Sequence, residues 1–365
     1  MSPGDEKKEL TEQEDAQERL QSDRELETQS PRSANASGEG SLVERIAQEE
    51  LAHPPESSQE QEIDLPARQA AAASLYREAT VYVLKSIRRV EKGVGPDVEK
   101  GEELVRRVIE SLSESSALCL LATDRKRRFS ISVHSVNVMV LALRIAGTMK
   151  CDHQEQMRVG LAAILHELGI GQVPDRLLHQ EGPVREEVRH RPAYSAEVLA
   201  RFCPKYGWLA ETAGQVYERE DGSGVPSGLA GKDIRAEAKI LGIADVFEAC
   251  IHDRPYRHAL TGYQMIYELT KGESRGFSDR IIKALVKSFT MYPYNEYVLL
   301  STHEVGQVVE VNPENLMRPV VKILYDREGK PLNPSREIDL AKNPSLHILQ
   351  AVLYHTLPAR YRSRQ

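Results

Sequence analysis

The chain has 365 residues, enough for two or three structural units and a sizeable buried core, with 40% hydrophobic, 28% charged and 5% aromatic residues. The net charge of −7 and the absence of a long uninterrupted apolar run argue against a membrane span, and the first residues, MSPGDEKKEL, have no apolar core for a secretory signal. Four widely spaced cysteines with no CxxC pair exclude a zinc ribbon and a disulfide framework, so a reduced, cytoplasmic protein is expected.

Charge is unevenly spread. Residues 1–66 carry 18 acidic against 6 basic side chains and no aromatic residue, a net of −12; the other 299 residues carry a net of +5. A segment so poor in apolar side chains cannot offset its chain entropy, so 1–66 is expected to be a disordered acidic tail, either a docking arm or solvated filler. Helical periodicity begins at 67–92, with Leu75, Tyr82, Val83 and Ile87 on one face. Asp97 is placed to cap a second helix running to about Leu121, with Leu104, Val108 and Leu112 inward. Further helices are expected at 131–149, 153–169, 185–202, 205–218, 233–251, 262–272 and 278–289. Near 292 the period shortens: YVLLSTHEVGQVVEVNPENLMRPVVKILYDREGKPL alternates and is broken by Gly306, Asn312-Pro313 and Gly329, which predicts a small three-stranded antiparallel sheet. The expected class is mainly α, a helical bundle with a small C-terminal β extension and a disordered N-terminal tail. The units are 1–66 (tail), 67–114 (N-terminal helices), 115–290 (helical domain) and 291–365 (β-rich extension). The helix at 67–92 has two readings: packing on its own domain, or pairing with a second copy in a homodimer.

Polar residues inside apolar helices mark the candidate chemistry. His166 and Glu167 end the apolar run LAAIL, His134 sits among valines in VHSVNVMV, and Asp245 lies in GIADVFEA. A lone histidine in such a place is usually a hydrogen-bonded core residue, and buried acids need partners. Together the four offer a nitrogen and oxygen donor set suited to Fe, Mn or Zn. DGSGVPSGL, with Asp221, Gly222, Gly224, Val225 and Pro226, reads as a tight turn or as the lip of a pocket. RPYRHAL places Arg254 and Arg257 on one short segment, suited to phosphate or to a salt-bridged surface.

The run HSVNV, HELGIGQVPDRLL, RPAYSAEVL, EREDGSGVPSGLAG and ILGIADVFEACIHDRPYRHAL resembles the HD-GYP family across about residues 115–290, and the C-terminal segment resembles the short extension that follows many such domains. The resemblance implies an HD-superfamily bundle and hydrolysis of the bacterial messenger cyclic di-GMP. It further implies that His134, His166, Glu167 and Asp245 stand where the ligands of one metal lie, with the usual Asp after His166 replaced by the longer Glu. The family's second-metal histidines fall at Arg191, Val216 and Tyr217, so all three are missing. Its phosphate-binding lysine falls at Ile170 and its GYP tyrosine at Val225. Arg254 and Arg257 match positions against the phosphates, with Arg191 a further cation beside them. At most one divalent metal is therefore expected, or none.

Three functional readings stand at this point. One is a degenerate, regulatory or scaffolding protein that engages a diguanylate cyclase or a response regulator with little or no turnover. A second is a non-catalytic receptor for cyclic di-GMP or a related nucleotide. A third is a mononuclear metal-dependent phosphohydrolase, a cyclic di-GMP phosphodiesterase. Metal content, nucleotide binding and turnover separate them. Nucleic acid and membrane are not expected as partners, because the folded part is only +5 and lacks interleaved aromatics.

Overall fold

The computed structural model describes residues 65–127, 129–172, 190–253, 258–270, 276–353 and 357. The acidic segment 1–64 and the candidate phosphate ligands Arg254 and Arg257 lie outside the described residues.

Ten α-helices precede the strands among the described residues: α1 (Leu65–Glu91), α2 (Val98–Glu114), α3 (Ala117–Ala122), α4 (Ile131–Thr148), α5 (His153–Leu165), α6 (Arg191–Phe202), α7 (Gly207–Gly214), α8 (Ala236–Ile251), α9 (Gly262–Thr270) and α10 (Asp279–Phe289). Asp97 caps α2 as expected, its carboxylate accepting from Lys100 N at 3.1 Å. The single helix expected over 97–121 is two, α2 and α3, parted at Ser115–Ser116, where Ser115 adopts an extended conformation. Two adjacent serines, whose hydroxyls compete for backbone partners, weaken the helix there.

The core is built around α4, which packs on α5, α8 and α1. Thirteen of its eighteen residues are buried, among them Val138, Met139, Leu141 and Ile145. This helix is long and apolar enough to span a membrane, which the linear reading overlooked because Ser132, His134, Ser135 and Asn137 interrupt the apolar letters. Those four are buried too, so α4 is the central helix of a bundle.

Helix α5 starts with a reciprocal cap: Asp152 accepts from Glu155 N, and Glu155 accepts from Asp152 N, both at 2.8 Å. It ends at Leu165, four residues earlier than its apolar period suggests, and the chain tightens into a 3-10 turn at Leu168–Gln172. Glycine at 169 makes that turn possible. A Cβ there would run into the backbone of Tyr194 and Ser195, and Gly169 N donates to Ser195 Oγ at 3.0 Å. The close approach sets the first turn of α6 against the end of α5.

The C-terminal sheet is antiparallel and has five strands rather than three, in the order β4 (Pro331–Asp339), β3 (Val320–Tyr325), β2 (Val305–Glu310), β1 (Tyr297–Leu300), β5 (Ile348–Val352). The two unforeseen strands are the edges. β4, PLNPSREID, is mostly polar and exposed, so it has no inward alternation to read. The sheet is tied to the helices by Asn295, which donates to Leu120 O at 2.7 Å, and by buried Glu296, which accepts from Arg125 at 2.8 Å.

Candidate metal centre

Four side chains from three places converge. His134 comes from the first turn of α4, His166 and Glu167 from the end of α5, and Asp245 from the middle of α8. One donor atom from each lies within 4.8 Å of all the others. His134 Nε2 is 3.0 Å from Asp245 Oδ1 and 3.9 Å from Glu167 Oε1; His166 Nε2 is 3.7 Å from both carboxylates. A metal with ligand bonds of about 2.1 Å needs donors roughly 3.0–3.4 Å apart, so these side chains need move only a few tenths of an ångström to share one ion.

His166 is the C-cap of α5, in right-handed helical backbone, and Glu167 follows it before the 3-10 turn, so the donor atoms of these neighbouring residues reach the same point.

Both imidazoles are oriented from behind. His166 Nδ1 donates to Ala163 O at 2.6 Å, which leaves the Nε2 lone pair facing inward. His134 Nδ1 donates to Glu248 Oε2 at 2.7 Å. Glu248 accepts in turn from Asn137 Nδ2 at 3.0 Å, and Asn137 Oδ1 from the Tyr76 hydroxyl at 2.6 Å. A carboxylate behind a histidine is what fixes a metal-binding imidazole. Glu248 and Asn137 were not picked out from the sequence, although each stands three residues after a chosen ligand, on the same face of its helix. Polar residues at i and i+3 in apolar helices were the available signal.

The electrostatics suit a cation. Burial opposes a charge on His134, but Glu248 and Asp245 outweigh it and raise the imidazole pKa to about 10. Without a metal, His134 is therefore an imidazolium shared between two carboxylates. Burial would raise the Asp245 carboxyl, yet His134, whose Nε2 lies 3.0 Å away, holds it well below the usual range. Glu167 behaves likewise: burial opposes its charge, and Arg191, with the histidines, lowers it. Two buried donor atoms, His166 Nε2 and Glu167 Oε2, have no hydrogen-bond partner among the described residues. Orphaned buried lone pairs are costly, and a divalent ion would satisfy both. The residues thus fit one metal, held by His134, His166, Glu167 and Asp245. When bound, it would supply Lewis acidity toward a phosphoryl oxygen.

Arg191 stands next to this set. From the first residue of α6 it donates through Nη2 to Glu167 Oε1, the oxygen that faces the histidines. It is partly buried against that carboxylate and remains a cation. Tyr217 lies close enough to feel Arg191, Asp245 and Glu167, and burial raises its hydroxyl pKa. Val216 is in the core and Ile170 is buried against Ile87, Ile131 and Tyr194, so neither position offers a donor. Glu218 accepts from the backbone of Ser227 and Leu229 at 2.7 and 2.9 Å, which holds the glycine-rich loop closed. In that loop Asp221 accepts from Ser223 N at 3.0 Å and Ser223 Oγ at 2.6 Å, and Val225 N donates to Tyr217 O at 3.1 Å. Gly222 has φ +78°, and a Cβ at Gly224 would strike the Glu218 backbone. These contacts account for the loop's residues as a tight turn, with Pro226 following.

An HD-domain family model matches residues 110–280, and a model described as a KOW domain associated with HD domains matches 297–358. The cyclic di-GMP phosphodiesterase PA4108 of Pseudomonas aeruginosa is 27% identical over 276 residues, covering 74% of this chain and 66% of that protein. The cyclic di-GMP phosphodiesterase response regulator RpfG of Xanthomonas campestris is 32% identical over 148 residues, 39% of each chain. Among solved structures, Bd1817, a HDG"Y"P protein from Bdellovibrio bacteriovorus, superposes with a TM-score of 0.51 at 15% identity, covering 67% of this chain and 76% of that one, a likeness of fold. The chain thus spans two thirds or less of the length of these curated relatives.

Proposed function

From a chain that belongs to the HD-domain family, and within it to the HD-GYP type, we infer a protein that binds a cyclic dinucleotide at a centre holding at most one metal and that regulates with little or no phosphodiesterase activity. Its relatives are named as cyclic di-GMP phosphodiesterases, which makes cyclic di-GMP the first ligand to test.

The observation that carries this reading is the seat of Arg191. Its guanidinium is on Glu167, one of the two carboxylates of the donor set. In the resemblance, Arg191 stands where a second-metal histidine belongs, and Val216 and Tyr217 replace the other two. A guanidinium supplies a positive charge to an anionic ligand and to Glu167, but it cannot activate water. The phosphodiester would be held and charge-matched by Arg191 and the first metal, while the pair of ions that clamps attacking and leaving oxygens is missing. Ile170, where the family's lysine stood, removes another charge from the transition state; the loss of one such contact typically costs a factor of about 10² to 10³ in rate. The natural output is contact with a signalling partner, a diguanylate cyclase or a response regulator, and the cytoplasm is the compartment where that ligand would be met.

A second reading, a mononuclear phosphohydrolase, draws on the orphaned His166 Nε2 and Glu167 Oε2, which favour a tightly held ion. Both readings are tested by titrating the Mn-loaded full chain with cyclic di-GMP and following nucleotide composition by chromatography. Saturable binding with intact nucleotide supports the regulatory reading. Turnover that disappears in His166→Ala establishes the hydrolase.

A further inference from the structure

A cleft lies far from the metal centre. Its volume is about 550 Å³, and it sits at the opposite end of the bundle, where α4 ends and α8 and α10 begin. Met149, at its wall, lies fifteen residues beyond His134 on α4, about 22 Å along the axis; Ala236 lies nine residues before Asp245 on α8, about 14 Å. None of the four metal-site residues, nor the glycine-rich loop, lines it.

Its charges do not balance. Three carboxylates face the cleft and each is already engaged. Glu155 caps α5, Glu220 accepts from Lys239 at 3.0 Å, and Glu237 is 3.3 Å from Arg235 and 3.7 Å from Arg158. Arg235 and Lys239 are thereby spoken for. Lys150, Lys232 and Arg280 remain, three cations with no ion pair among the described residues. Lys150 projects from a left-handed backbone position, φ +59°, at the end of α4. The floor between these cations is apolar: Ile234, Ile240 and Ile281 are buried at 3–4% exposure. The first turns of α8 and α10 open into the same space, and Ser278, which precedes α10, makes no side-chain cap bond. An apolar floor with a cationic rim at the start of two helices suits a molecule with a flat apolar part and a multiply charged anionic part.

We propose that this cleft is a second ligand site, for a nucleoside diphosphate, with the base against Ile234, Ile240 and Ile281 and the diphosphate among Lys150, Lys232 and Arg280. The site is independent of the metal centre and of the function proposed for it.

The test is calorimetric titration of the full, EDTA-treated chain with GDP, which leaves the metal centre unable to recruit phosphate through an ion. The expected result is saturable one-to-one binding that weakens at least tenfold in the double variant Lys232→Glu, Arg280→Glu and is unchanged in His166→Ala. Both cleft substitutions are at exposed positions, and an unchanged melting temperature of the unliganded double variant confirms that it folds. Pyrophosphate should compete for the site and guanosine should not. No saturable binding at millimolar GDP, binding indifferent to the double variant, or binding lost in His166→Ala would each overturn the proposal.

Discussion

The charge state of His134 leads to a quantitative prediction about metal binding. In the metal-free protein its imidazole faces Glu248 Oε2 at 2.7 Å on one side and Asp245 Oδ1 at 3.0 Å on the other, and its pKa stands near 10. The ion must take the Nε2 position from a proton. Across the whole interval below about pH 10, each metal bound therefore releases one proton from His134, and apparent affinity rises tenfold per pH unit. For Mn²⁺ between about pH 6.5 and 8.5 the predicted gain is about a hundredfold. An ordinary histidine, with a pKa near 6.5, would give little change over the same range. The assay is competition with a chelating dye at several pH values, alongside calorimetry in buffers of different ionisation enthalpy to count protons. Replacing Glu248 with Gln removes the nearest raising charge, so the rise should level off at a lower pH. A flat affinity between about pH 7 and 8.5, or no proton release, would refute the reasoning.

Other perturbations follow from the same contacts. Arg191→Met strands the buried Glu167 carboxylate; loss of a buried partner typically costs about 3–5 kcal/mol, so the metal-free variant should melt lower, and saturating Mn²⁺ should raise its Tm by more than it raises the wild type's. Gly169→Ala pushes a Cβ into the Ser195 backbone and unseats α6 from α5; overpacking of this kind costs about 1–3 kcal/mol, read by urea unfolding, with weaker metal binding beside it. At the junction of sheet and helices, Glu296 has its pKa raised to about 7, because burial outweighs the Arg125 charge and the Gly262 N–H. A carboxyl raised on folding contributes stability that is complete below its unfolded value of 4.5 and is lost as pH climbs through about 7. Melting curves should thus fall over that window, by on the order of 3 kcal/mol at 1.36 kcal/mol per pH unit, and Glu296→Gln should flatten them.

Much of this architecture could be read in the sequence because apolar period dominates in a helical bundle. In α2 the core residues Leu104 and Val108 are those the 3.6-residue spacing selects, and Asp97 caps where expected. What escaped was set by tertiary contact or by missing contrast. The early end of α5 depends on Gly169 meeting Ser195, a contact 26 residues away in sequence. Strand β4 carries no alternation, since an exposed edge has no buried side to mark. At the centre, the four ligands stood out as polar letters in apolar helices. Their supporting network, Glu248, Asn137 and Tyr76, is polar in the same way, but its role lies in contacts between helices more than 60 residues apart in sequence, which only the packing makes. The cationic cleft was invisible, because Lys150, Lys232 and Arg280 are separated by some 50 to 80 residues and only the packing of α4, α8 and α10 brings them together.

The most direct test of the account is the metal content of the full chain, purified after growth with Fe, Mn and Zn and measured by mass spectrometry of the elements, in the wild type and in Arg191→His. The account predicts no more than one ion per wild-type chain, and one at saturation with Mn²⁺, lost in His134→Ala. Two ions per wild-type chain would contradict it, because Arg191 and the second ion cannot both neutralise Glu167, and the chain would then have to be understood as a binuclear phosphodiesterase.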